Sequence, residues 1–110
     1  MRQLRLKWEG KGFGNYHGVR TILILDGEWY PLSYIRGNKW TLLWEMLKGL
    51  KYRLRNPYEI ETEIEDNLAE IIEILFSLRG RFPKKYIKLK DNPKELLEEL
   101  KAFRISNEMK

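Results

Sequence analysis

The dipeptide Asp26-Gly27, set between two apolar runs, constrains what this chain can fold into more than any other short segment. Two residues of this type favour a two-residue hairpin whose central positions both take positive φ, which binds the flanking strands antiparallel. Residues 19–25 before the turn are apolar at nearly every position apart from Arg20 and Thr21, the pattern of a central strand buried on both faces. Residues 28–35 return antiparallel, and Pro31, which has no N–H to give a ladder, places this third strand at an edge or a bulge. Gly37 ends it. Upstream, Leu4, Leu6 and Trp8 alternate with Gln3, Arg5 and Lys7, so the first strand has one buried face and one basic face.

Between these strands, residues 9–18 hold four glycines in ten positions and read as a loop or wide turn. Lys11-Gly12-Phe13-Gly14 matches the first four positions of the RNA-recognition signature, in which sheet-surface aromatics stack on bases, and the match stops at Asn15. Lys7-Trp8 ahead of it echoes the opening of cold-shock domains with too short a spacing. Neither match extends far enough to assign a family.

Beyond Gly37 the period changes. Trp40, Leu43, Trp44, Leu47 and Leu54 recur at helical spacing, predicting a first helix over 38–55 with Lys48, Lys51, Arg53 and Arg55 near its C-terminal end. Asn56-Pro57-Tyr58-Glu59 has the order of a cap, a first-position proline and a third-position acid, so a second helix is expected to start there, with Ile60, Ile64, Leu68, Ile71, Ile72, Leu75 and Phe76 as its core stripe and Gly80 as its stop. Residues 85–90 alternate again and predict a short lysine-guarded strand. Asn92-Pro93-Lys94-Glu95 repeats the cap grammar and opens a third helix carrying Leu96, Leu97, Leu100 and Phe103, fraying after Arg104 so that 105–110 are loose. The expected fold is α+β, a mainly antiparallel sheet of three to four strands in the order β-β-β-α-α-β-α with helices on one face.

With 110 residues, 43% of them hydrophobic, one domain over 1–110 with a real core is expected. The absence of cysteine removes disulfides, thiolate metal sites and cysteine nucleophiles together, and a single histidine, His17, removes two-histidine metal sets and acid–base pairs. No cofactor and no metal site is expected. No apolar run approaches the roughly 20 residues of a membrane span, which makes the cytoplasm the default location. Richness in Lys, Glu, Arg and Ile with a single Gln leans toward a heat-adapted, archaeal or viral source.

The net charge of +5 hides a segregated pattern. Residues 1–58 hold eleven bases and four acids, 59–78 hold seven acids and no base, 79–94 hold seven bases and one acid, and the tail holds four acids and three bases. The reading this favours is a small nucleic-acid-binding protein without catalysis, neutralising phosphates with Arg5, Lys7, Lys11, Arg20, Arg81, Lys84, Lys85 and Lys88 and stacking Phe13 and Tyr16 on unpaired bases, with Phe82 and Tyr86 flanking the second basic run as further stacking groups. The alternative is a protein-binding accessory or inhibitor module that grips a larger complex through Trp29, Glu61, Glu65 and Glu73, or forms a homodimer through complementary charge. A ribonuclease-like enzyme using His17 stands third. The acids of 59–73 read as the solvated face of the second helix, or as a surface aimed at a basic partner or at this protein's own basic regions, more readily than as a metal site. Trp8, Trp40 and Trp44 are expected in the core and Trp29, just after the hairpin turn, at the surface.

Overall fold

The structure, a computed structural model, describes residues 1–10, 19–31, 38–79 and 81–108, with side chains for all of these except 10, 19, 20, 38–41, 107 and 108. The chain divides into two compact units, one of Met1–Ser33 with Leu50–Ile64 and the other of Tyr34–Gly49 with Glu65–Lys110.

The first unit is a five-stranded sheet with every neighbouring pair antiparallel. Strands β1 (Arg2–Gly10), β2 (Val19–Leu25), β3 (Glu28–Pro31), β4 (Arg53–Asn56) and β5 (Glu59–Ile64) lie in the order β3-β2-β1-β5-β4. Asp26 at φ 50° and Gly27 at φ 86° make the hairpin between β2 and β3, as the dipeptide requires. The Asp26 carboxylate then clamps the start of β1: it accepts the Gln3 N–H at 3.2 Å and the Arg2 guanidinium, and the Asp26 N–H donates to the Gln3 carbonyl at 3.1 Å. The hydrogen bond from Arg2 holds this carboxyl below its ordinary range, against an opposing push from desolvation.

One face of the sheet carries Leu4 and Leu6, their partners Leu23 and Leu25, and Thr62 and Ile64 from β5, all buried. Thr62 is the polar exception, and its hydroxyl donates to the Lys51 carbonyl at 2.9 Å, which removes the penalty of an unmade bond. The other face carries Gln3, Arg5 and Lys7, the glutamates of β5, Trp29, and the buried pair Ile22 and Ile24. β2 is thus buried on both faces, and Pro31 lies in an edge strand.

The second unit holds α1 (Asn38–Leu47), α2 (Asp66–Ser77), a 3₁₀ helix (Lys84–Leu89) and α3 (Pro93–Glu108). α2 packs on α3, while the 3₁₀ helix touches both α1 and α3. Ile71, Ile72 and Leu75 of α2 and Leu96 and Leu100 of α3 are fully or almost fully buried. Asn92 opens α3 with a reciprocal cap: its Oδ1 accepts the Glu95 N–H at 3.3 Å and its Nδ2 donates to Glu95 Oε2 at 3.0 Å.

Five expectations need correction. The sheet has five strands rather than three or four. The first helix stops at Leu47, because Lys48-Gly49 breaks it and residues 51–55 alternate charged with apolar, which suits the edge strand β4. The second helix does not begin at Pro57: Asn56 Oδ1 accepts the Tyr58 N–H at 2.8 Å, the two-residue reach of an Asx turn, and Glu59–Ile64 is a strand whose alternate positions Ile60, Thr62 and Ile64 are β-branched. α2 starts only at Asp66. Residues 84–89 form a 3₁₀ helix, not a strand, because Tyr86 is buried where alternation would have turned it outward with the lysines. α3 also runs past Arg104 to Glu108.

Gly27→Ala tests the hairpin. No atom lies within 4 Å of where the new Cβ would stand, so the cost is the left-handed backbone alone, about 1–2 kcal/mol, read as a lower urea midpoint at constant m-value. A second test uses the phenols. Burial pushes Tyr52 up to about 12, and burial followed by the charge of Glu99 raises Tyr86. Unfolded phenols lose protons near pH 10 while these keep theirs, so this stability is complete below about pH 10 and falls as pH rises toward 12. Tyr52→Phe flattens that decline in pH-dependent urea unfolding.

Candidate functional site

The polar face of the sheet is built by register. β1 sets Gln3, Arg5 and Lys7 opposite Glu63, Glu61 and Glu59, and the side chains lean one pair along: Arg5 Nη1 donates to Glu59 Oε1 at 2.9 Å and Gln3 Nε2 to Glu61 Oε2 at 2.9 Å. From the other side, alternation along β4 puts Arg53 and Arg55 on the same face, and a bulge between Leu54 and Asn56 sets Asn56 opposite Glu59. Arg55 Nη1 lies 3.5 Å from Glu61 Oε2, Arg55 Nε 3.9 Å from Glu59 Oε1, and Arg53 Nη2 3.9 Å from Glu61 Oε1. Asn56 Nδ2 donates to the second oxygen of Glu59 at 3.1 Å. Glu59, only 6% exposed, thereby has a donor on each oxygen. Lys7 has Glu9 at 3.6 Å and places its ammonium 5.1 Å over the Trp29 ring. The bases that sequence offered for phosphate on this face already have acidic partners, and Glu61, offered as a partner-facing acid, is one of them.

The second basic run is different. Lys90 is engaged with Glu45 at 3.7 Å, and Glu45 also accepts Lys48 at 2.8 Å, whose hydrogen bond leads the causes that lower the Glu45 carboxyl. Arg79, Arg81, Lys84, Lys85 and Lys88 are exposed and form no ion pair among the described residues. Arg79 follows the C-cap of α2 at φ 50°, a left-handed conformation in which glycine would be unstrained. Lys85 and Lys88 share one row of the 3₁₀ helix, because residues three apart eclipse at about 6 Å of rise.

No known protein family, curated protein or solved structure matches the chain.

Phe82 and Tyr86, read from sequence as flanking stacking groups, are buried. Their rings stack at 6.2 Å, and Tyr86 meets Phe103 edge-on at 5.8 Å. They anchor the segment inward and leave the cations outward, with the Lys85 ammonium 5.7 Å over the Tyr86 ring. Lys11, Phe13, Tyr16 and His17 lie outside the described residues, as does the Arg20 side chain, although Arg20 itself belongs to β2. Glu65, exposed, precedes α2, and Glu73 lies on it, half-buried. No group of three acids or histidines among the described residues is placed to hold a metal, and no helix among them is long and apolar enough to cross a membrane.

Trp29 is 50% exposed, as its place after the turn suggested. Trp8 and Trp44, expected in the core, are exposed at 37% and 52%. Trp8 belongs to a group that sequence reasoning missed: Leu54 and Tyr58 are also strongly exposed, and the Trp8 N–H donates to the Tyr58 carbonyl at 2.9 Å. The signal was available in the alternation of 51–55, which places Leu54 opposite Lys51, Arg53 and Arg55 on a strand.

Glu59→Ala is expected to cost about 2–3 kcal/mol, less than the loss of a fully dry pair because Arg5 is partly solvated. A double-mutant cycle with Arg5→Ala by urea unfolding checks it: coupling of about 1–2 kcal/mol marks the pair as structural, and additivity marks it as a surface contact.

Proposed function

We propose that this protein binds the phosphate backbone of nucleic acid, without catalysis, through Arg79, Arg81, Lys84, Lys85 and Lys88. The observation that carries the reading is that five exposed cations within ten residues have no acidic partner among the described residues, while Arg2, Arg5, Lys7, Arg53 and Arg55 of the sheet each lie within 4 Å of a carboxylate. Uncompensated positive charge of this kind is what displaces counterions from a polyanion. The left-handed Arg79 supports the same reading, since strain of about 1–2 kcal/mol that glycine would relieve is retained where the side chain has a task.

Because Phe82 and Tyr86 face inward, this segment supplies charge without base stacking, and recognition by it is independent of sequence. Stacking by Phe13 and Tyr16 remains part of the proposal and rests on the sequence alone. A protein-binding role is the second reading, favoured by the exposed Trp29 and by the group of Trp8, Leu54 and Tyr58.

Fluorescence anisotropy with labelled single-stranded RNA and duplex DNA over a salt series tests the leading reading. Five phosphate contacts give a slope of log affinity on log salt of about −3.5 for single strands and about −4.5 for duplex. Lys84→Gln with Lys85→Gln lowers both slopes by about 1.4 to 1.8. Arg79→Gly separates function from fold: it raises the urea midpoint and weakens nucleic-acid binding together. Absence of binding at low salt, or slopes unmoved by the lysine changes, ends this proposal.

A further inference from the structure

We propose that the outer edge of β4 is a docking site for an extended peptide of alternating acidic and apolar residues, which joins the sheet as a sixth strand. β4 ends the sheet order, so one side of its backbone has no strand partner among the described residues, and all four of its residues are exposed. An open edge of this kind recruits an extended chain by main-chain hydrogen bonds, and side-chain pockets on the two faces select its sequence.

The two faces of the edge carry opposite chemistry. On one, Lys51, Arg53 and Arg55 recur at every second residue. The side chains of Arg53 and Arg55 are 65% and 46% exposed, and their nearest carboxylate contacts, at 3.5 to 3.9 Å, are long. Three guanidiniums, with Arg5, share Glu59 and Glu61, so charge and N–H donors remain for a further acid. On the other face Leu54 is 76% exposed, and Tyr58 in the β4–β5 turn and its backbone partner Trp8 are exposed at 69% and 37%.

The sheet already shows which strand this edge accepts. On its inner side β4 pairs antiparallel with Glu59-Ile60-Glu61-Thr62-Glu63-Ile64, with Arg53 opposite Glu61 and Leu54 opposite Ile60. An outer strand with the same alternation meets the same two rows. A second copy of this chain does not fit as well: β4 against β4 sets arginine against arginine, and the opposite edge, β3, ends on Pro31, which cannot donate to a ladder. The occupant is therefore a partner peptide with acids at alternate positions.

The test uses a fluorescein-labelled, N-acetylated peptide with the sequence of residues 59–64. It is expected to bind more tightly than a scrambled peptide of equal charge, and to lose binding when alternate backbone nitrogens facing β4 are methylated. Arg53→Glu weakens binding about tenfold, and a charge-reversed peptide with Lys for each Glu binds this variant better than the original protein. Arg53→Ala, at an exposed position, gives a smaller loss in the same direction while thermal melting confirms the fold. Lys84→Gln leaves peptide affinity unchanged, which separates this site from the cations of 79–88. Equal binding of the scrambled or methylated peptide, or indifference to Arg53→Glu, overturns the proposal; loss of RNA binding in Arg53→Glu without loss of peptide binding reassigns the edge to nucleic acid.

Discussion

The carboxylate of Glu59 ties the sheet together sideways. It is almost removed from water, and a carboxylate in that position is tolerable only if its oxygens are met by donors. Arg5 supplies one from the middle strand and Asn56 the other from the last residue of β4. Three strands are thereby held by side chains as well as by their ladders. The bulge between Leu54 and Asn56 adds to this, since it sets Asn56, which simple alternation would put on the Leu54 face, opposite Glu59.

This arrangement changes what the charge pattern means. In sequence, the first 58 residues are strongly basic and the next 20 strongly acidic, and each block by itself suggests a different external partner. Folding pairs much of one with the other across β1, β4 and β5, so neither is available in full. In the run 79–90, which lies between α2 and α3 in the sequence, Lys90 is the one base with an acid within 4 Å among the described residues. Net charge by itself does not locate a polyanion site; the excess left after internal pairing does.

The first three strands and the third helix were legible because each carries its own local signal: the Asp26-Gly27 turn, the alternation of Leu4 and Leu6, and the Asn92 cap followed by Leu96, Leu97 and Leu100. The middle of the chain was not, because Asn-Pro-x-Glu is ambiguous. Asn92 uses its side chain to reach three residues ahead and starts a helix; Asn56 reaches two ahead and makes a turn. The difference lies downstream, in Ile60, Thr62 and Ile64 at spacing two against leucines at helical spacing. The run at 79–90 was read correctly as a concentration of charge and its part 85–90 wrongly as a strand, because alternation alone cannot show that Tyr86 is drawn inward by Phe82 and Phe103.

The middle strand acquires its two neighbours at very different distances along the chain. Gln3 meets the Asp26 turn 23 residues away, whereas its contact with Glu61 spans 58. The longer closure costs only about 0.8 kcal/mol more, yet it cannot happen until α1 and the β4–β5 hairpin have been made. When residues 1–31 have been synthesised, the β2 side of β1 has its partner in the chain and the β5 side does not, and a strand bare on one side is the one most prone to join the wrong chain. Arg5, later paired with Glu59, has no β5 carboxylate to meet it during that interval and repels like copies of the same edge. The ion pairs that hold the finished sheet are, in the unfinished one, its protection against aggregation.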